Sequence, residues 1–258
     1  MRRHLFATAF ALLSLATFSA VAQPKVIAHR GYWRADGSAQ NSVASLVAAA
    51  ELGCWGSEFD VWLSADGELV LYHDDEMNGH RVEQLTLAQM SDYRLENGEP
   101  LPLLRDFLAV AQRYPDLKLI FELKPHNDKE HETRAVEASV RMVEEMGLAH
   151  RTEYISFSHH ACLEFIRLAP DAKVYYLNGE LSAATLKKEG FAGADYHFGL
   201  YKLSPKLIKR LHTLGLEANV WTVNKEDDME WVAKHDMDYI TTDYPEVALD
   251  FFEKLSAN

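Results

Sequence analysis

Residues 118–146 read KLIFELKPHNDKEHETRAVEASVRMVEEM. The first seven form a short apolar run of strand length. Residues 130–146 then carry charged and apolar residues at helical spacing, so the stretch reads as one strand leading into one helix. The same unit recurs in both directions along the chain. Residues 26–29 precede a helix over 42–52, whose buried stripe is Val43, Leu46, Val47 and Ala50. A strand over 56–62 is followed, after an interruption, by a helix over 103–113. Downstream, strands over 153–158, 173–177 and 195–198 lead to helices over 160–168, over 182–188, and from Ser204-Pro205 to Gly215, the last read as a cap, a first-turn proline and an end glycine. Strands over 217–223 and 238–242, each followed by a helix, complete the set. Eight such units in a chain of 258 residues predict an α/β protein built as a closed (β/α)8 TIM barrel.

One run breaks the alternation. Residues 68–72 follow the turn Ala65-Asp66-Gly67 directly, and so tight a turn can join only antiparallel strands. This predicts a β-hairpin excursion after the second strand, with residues 73–102 as a small rim insertion forming a lid. Its apolar content is limited to the patch Leu85, Leu87 and Met90.

The amino terminus stands outside the fold. Arg2-Arg3, the apolar run 5–18 and the small residues Ala20-Val21-Ala22 have the three parts of a cleaved secretory signal over residues 1–22. The mature chain, 24–258, is then expected to be a single catalytic domain that is secreted, in the periplasm. No cysteine follows the cleavage pattern to carry a lipid, and no later run is long enough to span a bilayer, so no stable membrane anchor is expected. The net charge of −13, more negative once Arg2 and Arg3 leave, disfavours nucleic acid as a partner. Cys54 and Cys162 are too few for a disulfide scaffold. Nothing in the sequence sets the oligomeric state.

In such barrels the reactive groups lie at the carboxyl ends of the strands. Three strand ends here are unusual: His29-Arg30-Gly31, Glu58-Phe59-Asp60 and Phe121-Glu122-Leu123-Lys124. Side chains two apart on a strand share a face, so Glu58 and Asp60 point one way, as do Glu122 and Lys124. With that face inward, three carboxylates converge, and they need a compensating cation; oxygen ligands suit one divalent cation, Mg2+ or Ca2+. The hairpin folds His73 back beside Glu58, where it joins His29 at the barrel mouth. Two histidines, an acidic metal site and the cations Arg30 and Lys124 suit phosphodiester hydrolysis: one histidine removes a proton, the other donates one, and the cations offset phosphoryl charge. Taken singly, each residue also has an ordinary structural reading; their agreement in position favours function.

These motifs, with Asn41-Ser42, Asp66-Gly67, Tyr72-His73-Asp74-Asp75, Ser156-Phe157, Val220-Trp221-Thr222-Val223-Asn224 and Thr242-Asp243-Tyr244-Pro245, resemble the glycerophosphodiester phosphodiesterase family in order and over nearly the whole mature chain. The resemblance implies Glu58, Asp60 and Glu122 as metal ligands, His29 and His73 as the acid/base pair, and Arg30 and Lys124 as phosphate contacts. It implies a small-molecule glycerophosphodiester as substrate, cleaved to glycerol 3-phosphate and an alcohol. Trp221 resembles a site-wall aromatic of the family, a core tryptophan being the competing reading, while Asp243 has two readings, a place at the barrel mouth and, in preference, a cap of the helix ahead of Pro245. The chain departs from the family at Gln40, where a glutamate is usual. Attack by a glycerol hydroxyl through a cyclic phosphate and direct attack by water would use the same residues. Two other readings stand beside this one: an inositol-bearing diester or phospholipid as substrate, and a secreted protein that binds phosphopolyols without turnover.

Overall fold

The computed structural model describes residues 23–256; the expected signal segment lies outside them. The chain runs β1 (Lys25–Ala28), α1 (Val43–Leu52), β2 (Gly56–Leu63), β3 (Leu69–Leu71), β4 (Glu76–Met77), β5 (His80–Arg81), α2 (Leu87–Met90), α3 (Leu104–Ala111) and β6 (Lys118–Leu123). It continues with α4 (Lys129–Glu145), β7 (Thr152–Ser156), α5 (His159–Leu168), β8 (Val174–Tyr176), α6 (Ala183–Glu189), β9 (Gly193–His197) and α7 (Phe198–Leu203). Last come α8 (Lys206–Thr213), β10 (Glu217–Trp221), α9 (Glu226–Ala233), β11 (Tyr239–Thr242) and α10 (Pro245–Ser256). Strands β1, β2, β6, β7, β8, β9, β10 and β11 pair in parallel in that order, and β11 closes on β1, giving the expected (β/α)8 barrel. Strand β3 is the hairpin excursion. It pairs antiparallel with the far end of β2, Val61 opposite Leu71 and Leu63 opposite Leu69.

Local chemistry explains where elements begin and end. Ser42 caps α1 by accepting a hydrogen bond from the Ser45 N–H at 2.9 Å, and Gly53, at φ 87°, ends it in the left-handed conformation. Asp128 caps α4 in the same way through the His131 N–H. The expected Ser204-Pro205 cap is not formed. A short helix, α7, precedes it, and Ser204 serves as that helix's end, its N–H donating to the carbonyls of Leu200 and Tyr201; α8 starts from Pro205 without a side-chain cap.

Strand alternation sorts the core into layers. Phe59, Val61, Phe121 and Leu123 point outward into the apolar layer between barrel and helices, whereas Ile27, Ile120, Ile155, Tyr175 and Tyr239 fill the barrel interior. The outward set forces Glu58, Asp60 and Glu122 inward. At the amino-terminal end, Glu217 closes the interior by accepting from Lys173, Tyr175 and Tyr239. Cys54 and Cys162 are buried free thiols.

The insertion has a core of its own. Met77, Val82, Leu85, Met90 and Leu101 pack on Trp62 and Val70, the face of the β2–β3 hairpin that continues the Glu58–Asp60 side of β2 beyond the barrel. It is therefore a packed layer rather than a flap held by Leu85, Leu87 and Met90 alone. Alternation within so short a hairpin did not reveal that Trp62 needed covering.

The approach of β9 to β10 leaves no room for a side chain at Gly193, where an added Cβ would stand 2.1 Å from the Glu217 carbonyl oxygen. Gly193→Ala should lower unfolding stability by about 1–3 kcal/mol through forced strand separation. Urea denaturation measures this, and a midpoint equal to that of the parent chain would contradict it.

Candidate active site

The first turn of the barrel sets the geometry. After β1 the chain turns sharply, with Arg30 at φ 56° and Gly31 at φ 73°. This conformation aims the Arg30 N–H at Glu58 Oε2, 2.7 Å away. At Gly31 a Cβ would lie 2.3 Å from Ser45 Oγ, so glycine is required in His29-Arg30-Gly31 both by backbone angle and by the closeness of α1. Asn41, also at positive φ, clamps Asp60 from both sides: its Nδ2 donates to Asp60 Oδ2 at 2.8 Å and its Oδ1 accepts from the Asp60 N–H at 3.1 Å.

Strand register brings the carboxylates together. Asp60 lies opposite Glu122 across β2 and β6, and oxygens of Glu58, Asp60 and Glu122 all lie within 4.8 Å of one another. All three side chains are buried. Lys124 Nζ stands 2.7 Å from Asp60 Oδ1 and 2.7 Å from Glu122 Oε1. Two cations do not offset three buried carboxylates fully. Burial, and then the charges of Asp60 and Glu122, push Glu58 well above the ordinary carboxylate range. Burial raises Glu122 to about 7 despite Lys124. Against burial, Lys124, His73 and Arg30 hold Asp60 down to about 2. Glu58 Oε1 is buried without a hydrogen-bond partner. An orphaned carboxylate oxygen beside two others suits a hard divalent cation, and Glu58, Asp60 and Glu122 are the residues that could hold one.

Both histidines are oriented by carboxylates. His29 Nδ1 lies 2.7 Å from Asp243 Oδ1, and His73 Nδ1 lies 2.6 Å from Asp74 Oδ1. Each Nδ1 is thereby engaged, leaving Nε2 for chemistry. Burial lowers His73, partly opposed by Asp60. Asp243 does not cap the last helix. Its carboxylate accepts from His29, from Trp33 Nε1 and from Asn224 Nδ2, because closure of β11 on β1 sets its side chain at the barrel mouth.

His29, Arg30, Glu58, His73, Glu122, Lys124 and Trp221 line one cavity of about 120 Å³, floored by Asp195. Trp221 is thus on the site wall, its Nε1 donating to the Asp195 carbonyl at 2.9 Å and its ring edge-on to Phe157. Asp60 sits behind, 1% exposed. The structure thus brings the expected residues together around one cavity, with Asp60 behind its wall. Asn41, Asp74 and Asp195 are additions, and Asp243 takes the place at the mouth that ranked second to a helix cap. Asp74 adjoins His73 and Asn41 stands in the Asn41-Ser42 motif, so both were within reach of the sequence; Asp195 and Asp243 depend on strand order around the barrel. A larger groove, about 500 Å³, opens near Lys118, His150 and Lys173. It lies toward the strand starts, the end of such barrels that serves stability rather than chemistry.

The sequence profile of the Glycerophosphoryl diester phosphodiesterase family matches residues 29–247. The chain belongs to that family. It is by that membership a phosphodiesterase. It is 28% identical to a glycerophosphodiester phosphodiesterase of Caldanaerobacter subterraneus subsp. tengcongensis over 89% of this chain and 98% of the relative. The crystal structure of a glycerophosphodiester phosphodiesterase from Parabacteroides distasonis superposes with a TM-score of 0.89 at 47% identity, covering 91% of this chain and 98% of the other. A phosphodiesterase of Oleispira antarctica, solved with the product sn-glycerol-3-phosphate, is 25% identical with a TM-score of 0.76, covering 90% of this chain and 97% of that one.

Asp243 is held down to about 2, from an ordinary 3.8, by His29, Asn224 and Trp33 against its own burial. A depressed carboxylate contributes stability above its unfolded pKa and loses it as pH falls through the folded one. Asp243→Asn should therefore lower the melting temperature at neutral pH, with the gap to the parent chain closing between about pH 4 and pH 2. It should also cut kcat/KM by at least about tenfold, by freeing the His29 ring. A pH-independent melting gap would show that the carboxylate charge contributes nothing.

Proposed function

We propose that the chain hydrolyses glycerophosphodiesters to glycerol 3-phosphate and an alcohol, using a divalent cation, Mg2+ or Ca2+, and His29 and His73 as an acid/base pair. The observation that carries this reading is the meeting of the Glu58, Asp60 and Glu122 oxygens within 4.8 Å in a cavity walled by both histidines. Family membership and the product-bound relative support the substrate class.

Glu58, Asp60 and Glu122 would hold the divalent cation, which would supply Lewis-acid stabilisation of a phosphoryl group. The remaining steps belong to side chains of this chain. Arg30, whose buried Nε has no hydrogen-bond partner, and Lys124 offset charge on the non-bridging oxygens. The Nε2 of one histidine takes the proton of a glycerol hydroxyl as its oxygen attacks phosphorus. The Nε2 of the other gives a proton to the departing alcohol oxygen as its bond to phosphorus breaks. The resulting cyclic phosphate is opened by water with the two roles exchanged. Trp221, Phe157 and Leu177 supply an apolar wall to the same cavity, which shields the reacting groups from bulk water.

A matched pair of carboxylate-oriented histidines favours turnover over binding alone, since capture of a phosphate needs cations and not a proton donor and acceptor. We also propose export, on the strength of residues 1–22. The mature protein recovered from a bacterial periplasm should begin near Gln23 or Pro24; an amino terminus still carrying the apolar run would contradict it.

With glycerophosphocholine as substrate, glycerol 3-phosphate release should stop on chelation and return with Mg2+ or Ca2+. His29→Ala and Glu122→Ala should each lower kcat by about a thousandfold or more, with the far-ultraviolet circular dichroism spectrum unchanged. No release with either metal from a folded protein, or turnover surviving in either variant, would overturn the assignment.

A further inference from the structure

A second cavity, about 350 Å³, adjoins the first. The two share Arg30 and His73 and no other lining residue. The first holds the metal-binding carboxylates; the second leads away from them, between the β1–α1 loop and the insertion. On the proposed function, a diester whose phosphorus lies between Arg30 and His73 can seat its glycerol in the first cavity, beside Glu58 and Glu122. Its departing alcohol then points into the second cavity. The volume lies within the range of small-molecule sites.

The walls of this cleft differ in chemistry from end to end. Arg30, at the phosphate end, donates from Nη1 to Gln40 Oε1 at 2.6 Å. Beyond it the lining is neutral, aromatic or acidic: Tyr72 and Tyr93, whose rings meet edge-on at 5.4 Å, and the carboxylates of Asp74 and Glu96. Asp74 engages His73 through one oxygen. Glu96 has no hydrogen-bond or ion-pair partner among the described residues and is exposed at the cleft. The nearest cation in sequence, Arg94, is turned onto the carbonyls of Ser91 and Tyr93 and does not line the cleft. Aromatic faces beside carboxylates attract an alkylammonium group and offer an uncharged polyol no such gain.

The segment carrying Glu96 is fixed rather than hanging free. Leu95 and Glu99 bond across a tight turn, and Asn97 Nδ2 donates to the Gly37 carbonyl at 3.0 Å. Glu99 accepts from the N–H groups of Val43 and Ala44 at the start of α1, at 2.9 and 3.2 Å. The insertion is thus tied to the loop and helix that follow His29-Arg30-Gly31, and the cleft between them has a set width.

We propose that this cleft receives the departing alcohol and selects a cationic one, an amino or quaternary ammonium alcohol, over inositol or a second glycerol. Tyr93 and Glu96 are the residues that discriminate. The test compares kcat/KM for glycerophosphocholine and glycerophosphoglycerol on the same preparation, a ratio unaffected by the fraction of protein that is folded. The parent chain should favour glycerophosphocholine by about tenfold, Glu96→Gln should lower the ratio about threefold, and Glu96→Lys about tenfold or more. Equal rates on the two diesters, or a ratio unmoved by Glu96→Lys, would overturn the assignment of the cleft and leave the phosphodiesterase reading standing. Turnover of neither diester would overturn both.

Discussion

Three carboxylates buried within 4.8 Å of one another repel, and much of the barrel mouth can be understood as the means of keeping them there. The side chains cannot relax apart because the backbone sets their positions: Glu58 and Asp60 on one strand, Glu122 paired opposite Asp60 on the next. What surrounds them answers the charge. Lys124 bridges Asp60 and Glu122, the Arg30 N–H meets Glu58, and Asn41 holds the remaining oxygen of Asp60. Both non-glycine positions in the left-handed region near the cluster, Arg30 and Asn41, are explained by those contacts. Local conformational cost at these two residues is accepted because it satisfies buried anions that would otherwise cost more.

The histidines depend on different parts of the chain. His73 is oriented by the residue next to it, so its geometry needs only the β3 hairpin. His29 is oriented by Asp243, 214 residues away in sequence, so its geometry needs the barrel closed. The β1–β11 pairing that closes it runs from Lys25 opposite Tyr239 to Ala28 opposite Thr242, and one residue further His29 and Asp243 meet. A chain whose last strand has not docked would hold the three clustered carboxylates and one oriented histidine, but not the other. Completion of the fold and orientation of the His29 ring are thus the same event.

That difference also explains what could be read in the sequence. Period-two alternation was enough to place Glu58, Asp60, Glu122 and Lys124 on the inner face, because their outward neighbours Phe59, Val61, Phe121 and Leu123 are all apolar. The hairpin followed from Asp66-Gly67, and the barrel from repetition. For Asp243 the local signal, its place ahead of Pro245, favours a helix cap over the barrel mouth; strand closure, which no local pattern encodes, gives its carboxylate to His29 instead. Helix α7 was missed because its six residues are too few for a helical period to emerge. The insertion's core escaped because two of its members, Trp62 and Val70, belong to the hairpin and are covered only when residues 77–101 fold back over them.

Gln40 can now be given a physical sense. A glutamate at this position would form a charge-assisted pair with Arg30 and neutralise it. The amide accepts the same hydrogen bond, at 2.6 Å, and leaves the guanidinium charged. Lys124 is already shared by two carboxylates, and the Asp60 oxygen nearest Arg30 Nε is 3.8 Å away, beyond hydrogen-bond range. Arg30 is therefore the cation whose charge is least committed at the point where the two cavities meet. A phosphate there gains the guanidinium without displacing a carboxylate from it. The neutral amide also keeps a further negative charge away from the phosphate end of the cleft, while Asp74 and Glu96 remain beyond it. The sequence of charge along the cleft, positive at Arg30 and negative at Asp74 and Glu96, would complement a molecule carrying an anion and a cation a few bonds apart.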